Sequence, residues 1–266
     1  MRAFEALDEW PCTVAAAALA PDGTSSKYGD TTTTFALASV TKLFTAAATL
    51  LAVEEGSVAI DDHVDERGAT LGDLLAHASG LAPDGSVLDG PGRRRVYSNG
   101  AYELLAEHVE SATSMAFADY MREGVFESLG MTASALFGSP AHGARSTVDD
   151  IVSFLVGLPR LLAPETLAAM TSPYLPELIG VLPGYGRQAP NTWGLGPEIR
   201  SNKSPHWTGS SNSPSTWGHF GQAGTFVWLD PEVGMALVVL TDKPFGDWAL
   251  ARWPALSDAV RAEALN

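Results

Sequence analysis

The sequence predicts an α+β fold, with an antiparallel sheet built from both chain ends and a helical lobe inserted between them. Short apolar runs flank tight turns near the start, at 12–19 and 24–29, and near the end, between 225 and 242. In the middle, apolar residues instead recur at three- and four-residue steps, as on the buried face of a helix. Strands at both ends around central helices favour a sheet to which the two termini contribute jointly.

The first elements are predicted to be a hairpin and a buried helix. Pro21-Asp22-Gly23 is a strong turn signal between the first two strands. A helix is expected from Ser39 to Gly56, because a stripe at helical spacing follows Ser39 and glycine commonly ends a helix. The stripe comprises Val40, Leu43, Phe44, Ala47, Leu50 and Leu51.

The central region predicts five further helical segments. Thr70 is expected to cap the first, with Asp73 at its third position, and Ser146 or Thr147 the fourth. Pro164 suits the first turn of the fifth. The segments are 70–80, 101–111 with Leu104, Leu105, His108 and Val109 facing inward, 114–131, 146–158 and the stretch from 164.

The last third of the chain is predicted to be less regular. Residues 172–215 are rich in Pro, Gly, Ser and Asn without a sustained period, so we expect a long surface excursion with one strand near Trp193. A hairpin around Asp230-Pro231-Glu232 and a closing helix interrupted at Pro254 complete the chain.

We expect these elements to form one domain, residues 1–266, whose two lobes share a core. The sheet lobe would comprise 1–55 and 190–266, and the mostly helical lobe 56–189. No internal repeat or low-complexity linker divides the chain.

Composition and charge exclude several classes of partner. A chain of 266 residues with 45% hydrophobic content can bury a core unaided, and its single cysteine, Cys12, cannot close an intrachain disulfide. The formal net charge of -15 argues against nucleic acid and anionic membranes as partners. The amino-terminal apolar run is too brief for an export signal or a membrane span, so we expect a cytoplasmic protein. The oligomeric state is not predicted.

Ser39 and Lys42 form an S-x-x-K pair at the start of the predicted helix. A spacing of three places the hydroxyl and the amine on one helix face, and the free N–H groups and dipole of a helix start disfavour positive charge. A neutral amine beside a hydroxyl can take its proton as the oxygen attacks a carbonyl. The alternative is a serine cap followed by a solvated lysine, so the pair needs support from other motifs.

Three motifs follow one another along the chain: SVTK at 39–42, YSN at 97–99, and HFG at 219–221 before a predicted strand. With LLAHASGL at 74–81, this order resembles the serine beta-lactamase and penicillin-binding-protein superfamily, in particular its class C-like branch of beta-lactamases, D,D-peptidases and esterases. The resemblance covers most of the chain. It implies an α/β/α sandwich, an antiparallel sheet flanked by helices, with the site in a cleft beside an all-helical lobe.

The resemblance also implies a role for each motif residue. Ser39 would be the nucleophile and Lys42 its general base, while Tyr97 would relay a proton to the leaving group. The backbone N–H groups of Ser39 and Gln222 would form the oxyanion hole. Asn99 could donate its amide N–H to the substrate or to Lys42, or could cap the following helix.

The third motif departs from the family's usual Lys-Thr-Gly. His219 takes the lysine's place, and Gly221 would let the strand edge approach the substrate closely. With an ordinary pKa of about 6.5, His219 would be mostly neutral at pH 7, gain a proton toward pH 6, and hold a carboxylate weakly. Packing at a strand edge is the structural alternative for this histidine. The substitution favours an esterase over a beta-lactamase.

No metal or cofactor is implied. The other histidines show no metal-ligand spacing, and the chain has no phosphate-cradling glycine loop. By resemblance, His77 is structural. Four tryptophans could line an acyl pocket or pack in the core, namely Trp193, Trp207, Trp217 and Trp228.

The sequence therefore predicts a serine hydrolase that forms an acyl-enzyme on Ser39 and cleaves a small-molecule ester or amide. A beta-lactamase and a D-amino-acid peptidase share this mechanism and differ in the pocket. A cytoplasmic location argues against cell-wall substrates. A catalytically silent recognition module is the alternative from another class, although binding alone would not need Ser39, Lys42 and Tyr97 together.

Overall fold

The computed structural model describes residues 1–265. Its strands are β1 Val14–Leu19, β2 Ser25–Tyr28, β3 Phe35–Ala36, β4 Ala135–Leu136, β5 Ala144–Ser146, β6 Gly180–Leu182, β7 Gly186–Gln188, β8 Glu198–Ile199, β9 Trp217–Gly221, β10 Thr225–Asp230 and β11 Met235–Thr241. Its α-helices are α1 Thr41–Glu54, α2 Leu71–Leu75, α3 Gly100–Thr113, α4 Phe117–Met121, α5 Val148–Leu161, α6 Pro164–Thr171 and α7 Asp247–Ala264. Short 3-10 helices cover Arg2–Glu9 and Ala38–Val40, and a π-helix, Arg122–Glu127, extends α4.

The central sheet confirms the predicted fold class. Its six strands are antiparallel in the order β2-β1-β11-β10-β9-β8, so the amino-terminal hairpin pairs with the last strand of the chain. The register of β1 on β11 runs from Val14 opposite Thr241 to Leu19 opposite Ala236. Two smaller sheets, β3-β5-β4 and β6-β7, lie outside it.

Side-chain alternation along the central strands divides the core into two layers. In β11, Ala236, Val238 and Leu240 face one hydrophobic cluster, which includes residues of α1, α3 and α5. The intervening Met235, Leu237 and Val239 face the other cluster, which is covered by α7 and the Arg2–Glu9 helix. Because successive strand residues point to opposite faces, helices pack on both sides of the sheet.

Several local predictions are confirmed. Thr70 and Asp73 form a capping box at α2, and the Thr147 hydroxyl accepts a hydrogen bond from the Asp150 N–H at the start of α5. In α3, Leu105 and Val109 are buried, whereas the predicted inward positions Leu104 and His108 are only partly buried.

Two predictions about the last third of the chain are wrong. Helix α7 runs through Pro254 without interruption, because the buried Trp253 and Leu256 hold the adjoining turns against the sheet. The prediction of a surface excursion over 172–215 is wrong for its second part. Residues 172–190 are mostly exposed, but 191–199 are buried, as are the charged Glu198 and Lys203, and the segment contains three short strands. Side-chain hydrogen bonds organise this segment, and they leave no periodic trace in the sequence.

No helix within residues 1–265 is both long and apolar enough to cross a bilayer. The boundary between a sheet lobe and a helical lobe stays a prediction.

Candidate functional site

Ser39 lies in the Ala38–Val40 turn, immediately before α1 rather than in that helix's first turn as predicted. The turn is anchored on one side by the Thr225 hydroxyl, which donates to the Leu37 carbonyl at 2.8 Å. Ala38 has a φ of +46°, a left-handed conformation that is unfavourable for a residue with a Cβ. The nucleophile candidate therefore follows a strained and firmly held residue.

Lys42 is completely buried in α1, which is buried on nearly all sides between the sheet and other helices. Its Nζ donates to Asn99 Oδ1 at 2.7 Å and to the Ala141 carbonyl at 2.9 Å. No carboxylate within residues 1–265 forms an ion pair with it. Burial lowers the pKa of Lys42 well below its ordinary value, and the more distant Glu103 only partly opposes this.

Asn99 stands at the start of α3, but its side chain does not cap that helix. The structure also corrects the predicted direction of its contact with Lys42, since Asn99 accepts this hydrogen bond through Oδ1 rather than donating. An amide that accepts through oxygen keeps both N–H groups of Nδ2 for other partners.

Tyr97 lines the same cavity as Ser39, and its ring contacts Lys42. Lys42 Nζ lies 4.7 Å from the centre of the Tyr97 ring. Burial raises the pKa of the Tyr97 phenol above its ordinary value, and the neighbouring Ser39 side chain only partly opposes this. The phenol is therefore protonated at neutral pH. His77 packs on the ring at a centroid distance of 4.4 Å and Trp193 at 5.9 Å.

His219 on β9 is buried, and its titration differs from the prediction. Its Nδ1 lies 2.7 Å from the Phe220 carbonyl, which can only accept, so Nδ1 carries the proton and Nε2 is an acceptor. Nε2 has no hydrogen-bond partner within residues 1–265. Burial is the main cause that lowers the pKa of His219 to about 3, and a proton on the neighbouring Lys42 acts in the same direction. The expectation that His219 gains a proton near pH 6 is therefore wrong.

Gly221 is required by the packing of the protein itself. A Cβ at this position would lie 2.2 Å from the Leu37 carbonyl oxygen and 3.2 Å from the Ala38 Cβ. The close approach that the glycine permits is thus between β9 and the turn that carries Ser39. This contact is within the protein, so the close approach of the strand edge to a substrate stays a prediction.

Ser39, Tyr97, His219 and Gln222 meet around one small cavity of about 30 Å³. The backbone N–H groups of Ser39 and Gln222 have no hydrogen-bond partner within residues 1–265. A cavity of this volume holds one or two waters. Its other walls are Leu182, Pro183, Trp193 and Phe220.

The sequence did not indicate several of the residues that build this site. The Ala141 carbonyl on Lys42 is a backbone group in a loop, and Leu182 and Pro183 belong to the β6–β7 hairpin, for which no motif was apparent. His77, expected to be structural, accepts the Ser98 N–H through Nδ1 at 3.2 Å and supports Tyr97. Of the four tryptophans considered for an acyl pocket, Trp193 lines the cavity. The others, Trp207, Trp217 and Trp228, pack in the core.

A second buried lysine lies behind Trp193. Lys203 Nζ is 5.8 Å from the Trp193 ring centre and pairs with the buried Glu198 carboxylate at 2.7 Å. The same carboxylate accepts from Trp207 Nε1 at 2.7 Å and His206 Nε2 at 3.0 Å. Burial raises the pKa of Glu198, but its cationic partners outweigh this and leave it lowered.

Residues 13–260 match a family model described as Beta-lactamase. The chain belongs to the beta-lactamase family. The superfamily resemblance drawn from the motifs is thereby confirmed. Within residues 1–265 of this family member, no three His, Cys, Asp or Glu side chains are grouped as metal ligands would be.

Among solved structures, this beta-lactamase-family chain is similar to a beta-lactamase from Mycobacterium bovis, with 50% identity, a TM-score of 0.96, and coverage of 98% of this chain and 99% of that one. It shares its fold with the D-amino acid amidase of Ochrobactrum anthropi, at 22% identity and a TM-score of 0.75 over 95% of this chain and 92% of that one. Penicillin-binding protein 4* of Bacillus subtilis is 30% identical over 169 residues. That match spans 48% of this chain and only 38% of the relative's length.

Proposed function

We propose that the protein is a serine hydrolase that cleaves small, uncharged esters through an acyl-enzyme on Ser39. The observation that carries this proposal is the state of Lys42. It is buried with only the neutral oxygens of Asn99 and Ala141 as hydrogen-bond partners, so its neutral amine is favoured. A neutral amine three residues after Ser39 supplies the kind of base that nucleophilic catalysis by serine requires.

In acylation, Ser39 Oγ forms a bond to the ester carbonyl carbon while Lys42 accepts its proton. The oxyanion that develops takes hydrogen bonds from the Ser39 and Gln222 N–H groups, whose hydrogen-bonding capacity is unused within residues 1–265. When the bond to the leaving oxygen breaks, the proton passes from Lys42 through the Tyr97 phenol to that oxygen, and an alcohol departs. Water then repeats the sequence, releasing the acid and restoring Ser39.

The remaining site residues orient the reactants. Asn99 holds Lys42 through Oδ1 and offers its Nδ2 N–H groups to a carbonyl on the substrate. Gly221 keeps β9 against the Ser39 turn, and thereby sets the spacing between the two oxyanion donors. These residues position groups, whereas Ser39, Lys42 and Tyr97 move protons or form bonds.

His219 supports the preference for uncharged substrates. At neutral pH it carries no charge, and its unpartnered Nε2 presents a lone pair rather than a proton. A carboxylate placed against this atom meets no donor, whereas the lysine usual in the family would offer an ammonium. Neutral esters should therefore be cleaved with a higher kcat/KM than penicillins or cephalosporins.

Hydrolysis of beta-lactams is a second candidate function. It is favoured by the 50% identity with the beta-lactamase from Mycobacterium bovis. A D-amino-acid peptidase would use the same groups. The test is to compare kcat/KM for a chromogenic neutral ester and a chromogenic cephalosporin at pH 7.5, with the higher value expected for the ester.

Covalent labelling separates an enzyme from a silent recognition module. A fluorophosphonate probe should modify Ser39, and peptide mass spectrometry should locate the adduct there. Unreacted protein after prolonged exposure, with intact folding by circular dichroism, would favour the recognition module.

A further inference from the structure

A larger groove adjoins the Ser39 cavity. It has a volume of about 330 Å³ and shares two lining residues, Tyr97 and Pro183, with the smaller cavity. The β6–β7 hairpin therefore contributes to both spaces, with Leu182 on the inner side and Val181 on the outer side. We call this larger space the outer groove and define it by Pro83, Leu88, Val96, Tyr97, Val181 and Pro183.

The mouth of the outer groove is unusually apolar for an acidic protein. Nine large apolar side chains are exposed within residues 1–265. Two of them, Leu88 and Val181, line this groove, and Val87 and Ile179 are close to these two in the sequence. Leu88 is 54% exposed and Val181 61%. An apolar patch that clusters beside a candidate active site, instead of being scattered, marks a binding surface.

Both arginines of the outer groove have acceptors within the protein. Arg95 is buried and donates to four backbone carbonyls, among them those of Ala76 and Asn191. Arg94 Nε donates to Asp89 at 2.9 Å. The groove consequently favours an uncharged apolar group. The volume of the groove is about eleven times the volume that one molecule occupies in liquid water, which leaves room for an alkyl chain of roughly six to eight carbons.

We propose that the outer groove binds the alcohol portion of an apolar ester, with Leu88 and Val181 as specificity-determining residues. The proposal rests on the proposed function. Tyr97 is the side chain that would protonate the leaving oxygen, and it lines both the Ser39 cavity and the outer groove. An alcohol leaving past Tyr97 therefore has its chain in this groove, while the acyl group stays on the Ser39 side.

Two ester series test the proposal. In the first, acetate is esterified with alcohols from ethanol to octanol, and acid release is followed. In the second, p-nitrophenol is esterified with acids from acetate to octanoate. We expect kcat/KM in the first series to rise about two- to fourfold per CH₂ up to six to eight carbons. The second series should vary by no more than about twofold in total.

Variants at the exposed rim make the assignment specific. The double variant Leu88→Gln with Val181→Thr should lower kcat/KM for hexyl acetate about tenfold. Its kcat/KM for ethyl acetate should equal that of the original protein. Val156→Thr is the matched control, because Val156 is 57% exposed on α5 and lines neither space. It should leave both series unchanged. These surface changes do not disturb the core.

A rise in the acyl series with a flat alcohol series would overturn the proposal, as would an alcohol dependence that survives in the double variant. Fluorophosphonate labelling of Ser39 in the same preparations distinguishes failure of the groove assignment from failure of the proposed function. Normal labelling with a flat alcohol series refutes the groove assignment alone. Absent labelling refutes the proposed function on which it rests.

Discussion

Two lysines are buried within residues 1–265, and their surroundings give them opposite properties. Lys42 donates to the neutral oxygens of Asn99 and Ala141, whereas Lys203 donates to the Glu198 carboxylate as well as to backbone carbonyls. Burial lowers the pKa of Lys42 far below 10.5 but that of Lys203 only to about 8, because Glu198 opposes the shift. Burial without a counter-charge produces a base, and burial with one preserves a cation.

The largest effect in the region of Lys42 is expected when the hydroxyl of Ser39 is removed. Ser39→Ala should abolish fluorophosphonate labelling and lower ester turnover by about a thousandfold or more, because the bond-forming oxygen is lost while the fold is kept. Turnover and thermal melting should be measured on the same preparation. If more than a tenth of the activity remains, Ser39 is not the nucleophile.

Exchanging each lysine for arginine contrasts the two surroundings directly. Lys42→Arg should lower kcat by about a thousandfold, nearly as much as Lys42→Ala, because a guanidinium cannot give up its proton. Lys203→Arg keeps the charge beside Glu198 and should leave kcat of the folded protein within about tenfold of the original. Equal losses in the two variants would show that charge, and not basicity, matters at position 42.

Removing the charge at Lys203 should affect stability. Lys203→Met leaves the Glu198 carboxylate buried without its main partner, which should lower the free energy of unfolding by about 3 to 5 kcal/mol. Urea denaturation measures the change. The double variant Lys203→Met with Glu198→Gln should recover part of the loss, because the uncompensated charge is then gone. No recovery would mean that the lysine acts through packing.

The smallest effect concerns selectivity at His219. With a pKa of about 3, His219 stays neutral between pH 6 and 8, so the ratio of kcat/KM for a neutral ester to that for its carboxylate-bearing analogue should be constant over this range. His219→Lys should shift the ratio toward the carboxylate by roughly tenfold at pH 7. His219→Gln is the uncharged control and should not. A wild-type ratio that changes severalfold between pH 8 and 6 would contradict a neutral His219.

The elements that sequence reasoning predicted well are those governed by local patterns. The hairpin at Pro21-Asp22-Gly23 and the cap at Thr70 depend on neighbours a few residues away, and both are present as predicted. Ser39 and Lys42 were found because a motif retains its spacing on any helix start. Their environment was not predictable to the same degree, since the partners of Lys42 come from two distant loops.

The errors share a physical cause. The burial of 188–208 depends on one carboxylate, Glu198, that gathers donors from side chains up to nine residues away. Such a hydrogen-bond network produces neither a hydrophobic period nor a distinctive composition in the sequence. Likewise, an ordinary pKa for His219 assumed full contact with water, and only the tertiary structure shows that the ring is buried against Trp193 and Tyr97 at the wall of the cavity.

The contact between Gly221 and the Leu37–Ala38 backbone bears on how such a protein can change. Because main-chain atoms fix the separation of the two proposed oxyanion donors, this separation does not depend on Leu182 in the cavity or on Leu88 and Val181 in the outer groove. Those side chains can be substituted during evolution or in directed selection while the backbone geometry of the site is retained. A mutational library restricted to positions such as Leu88, Val181 and Leu182 should therefore contain many altered preferences and few inactive proteins.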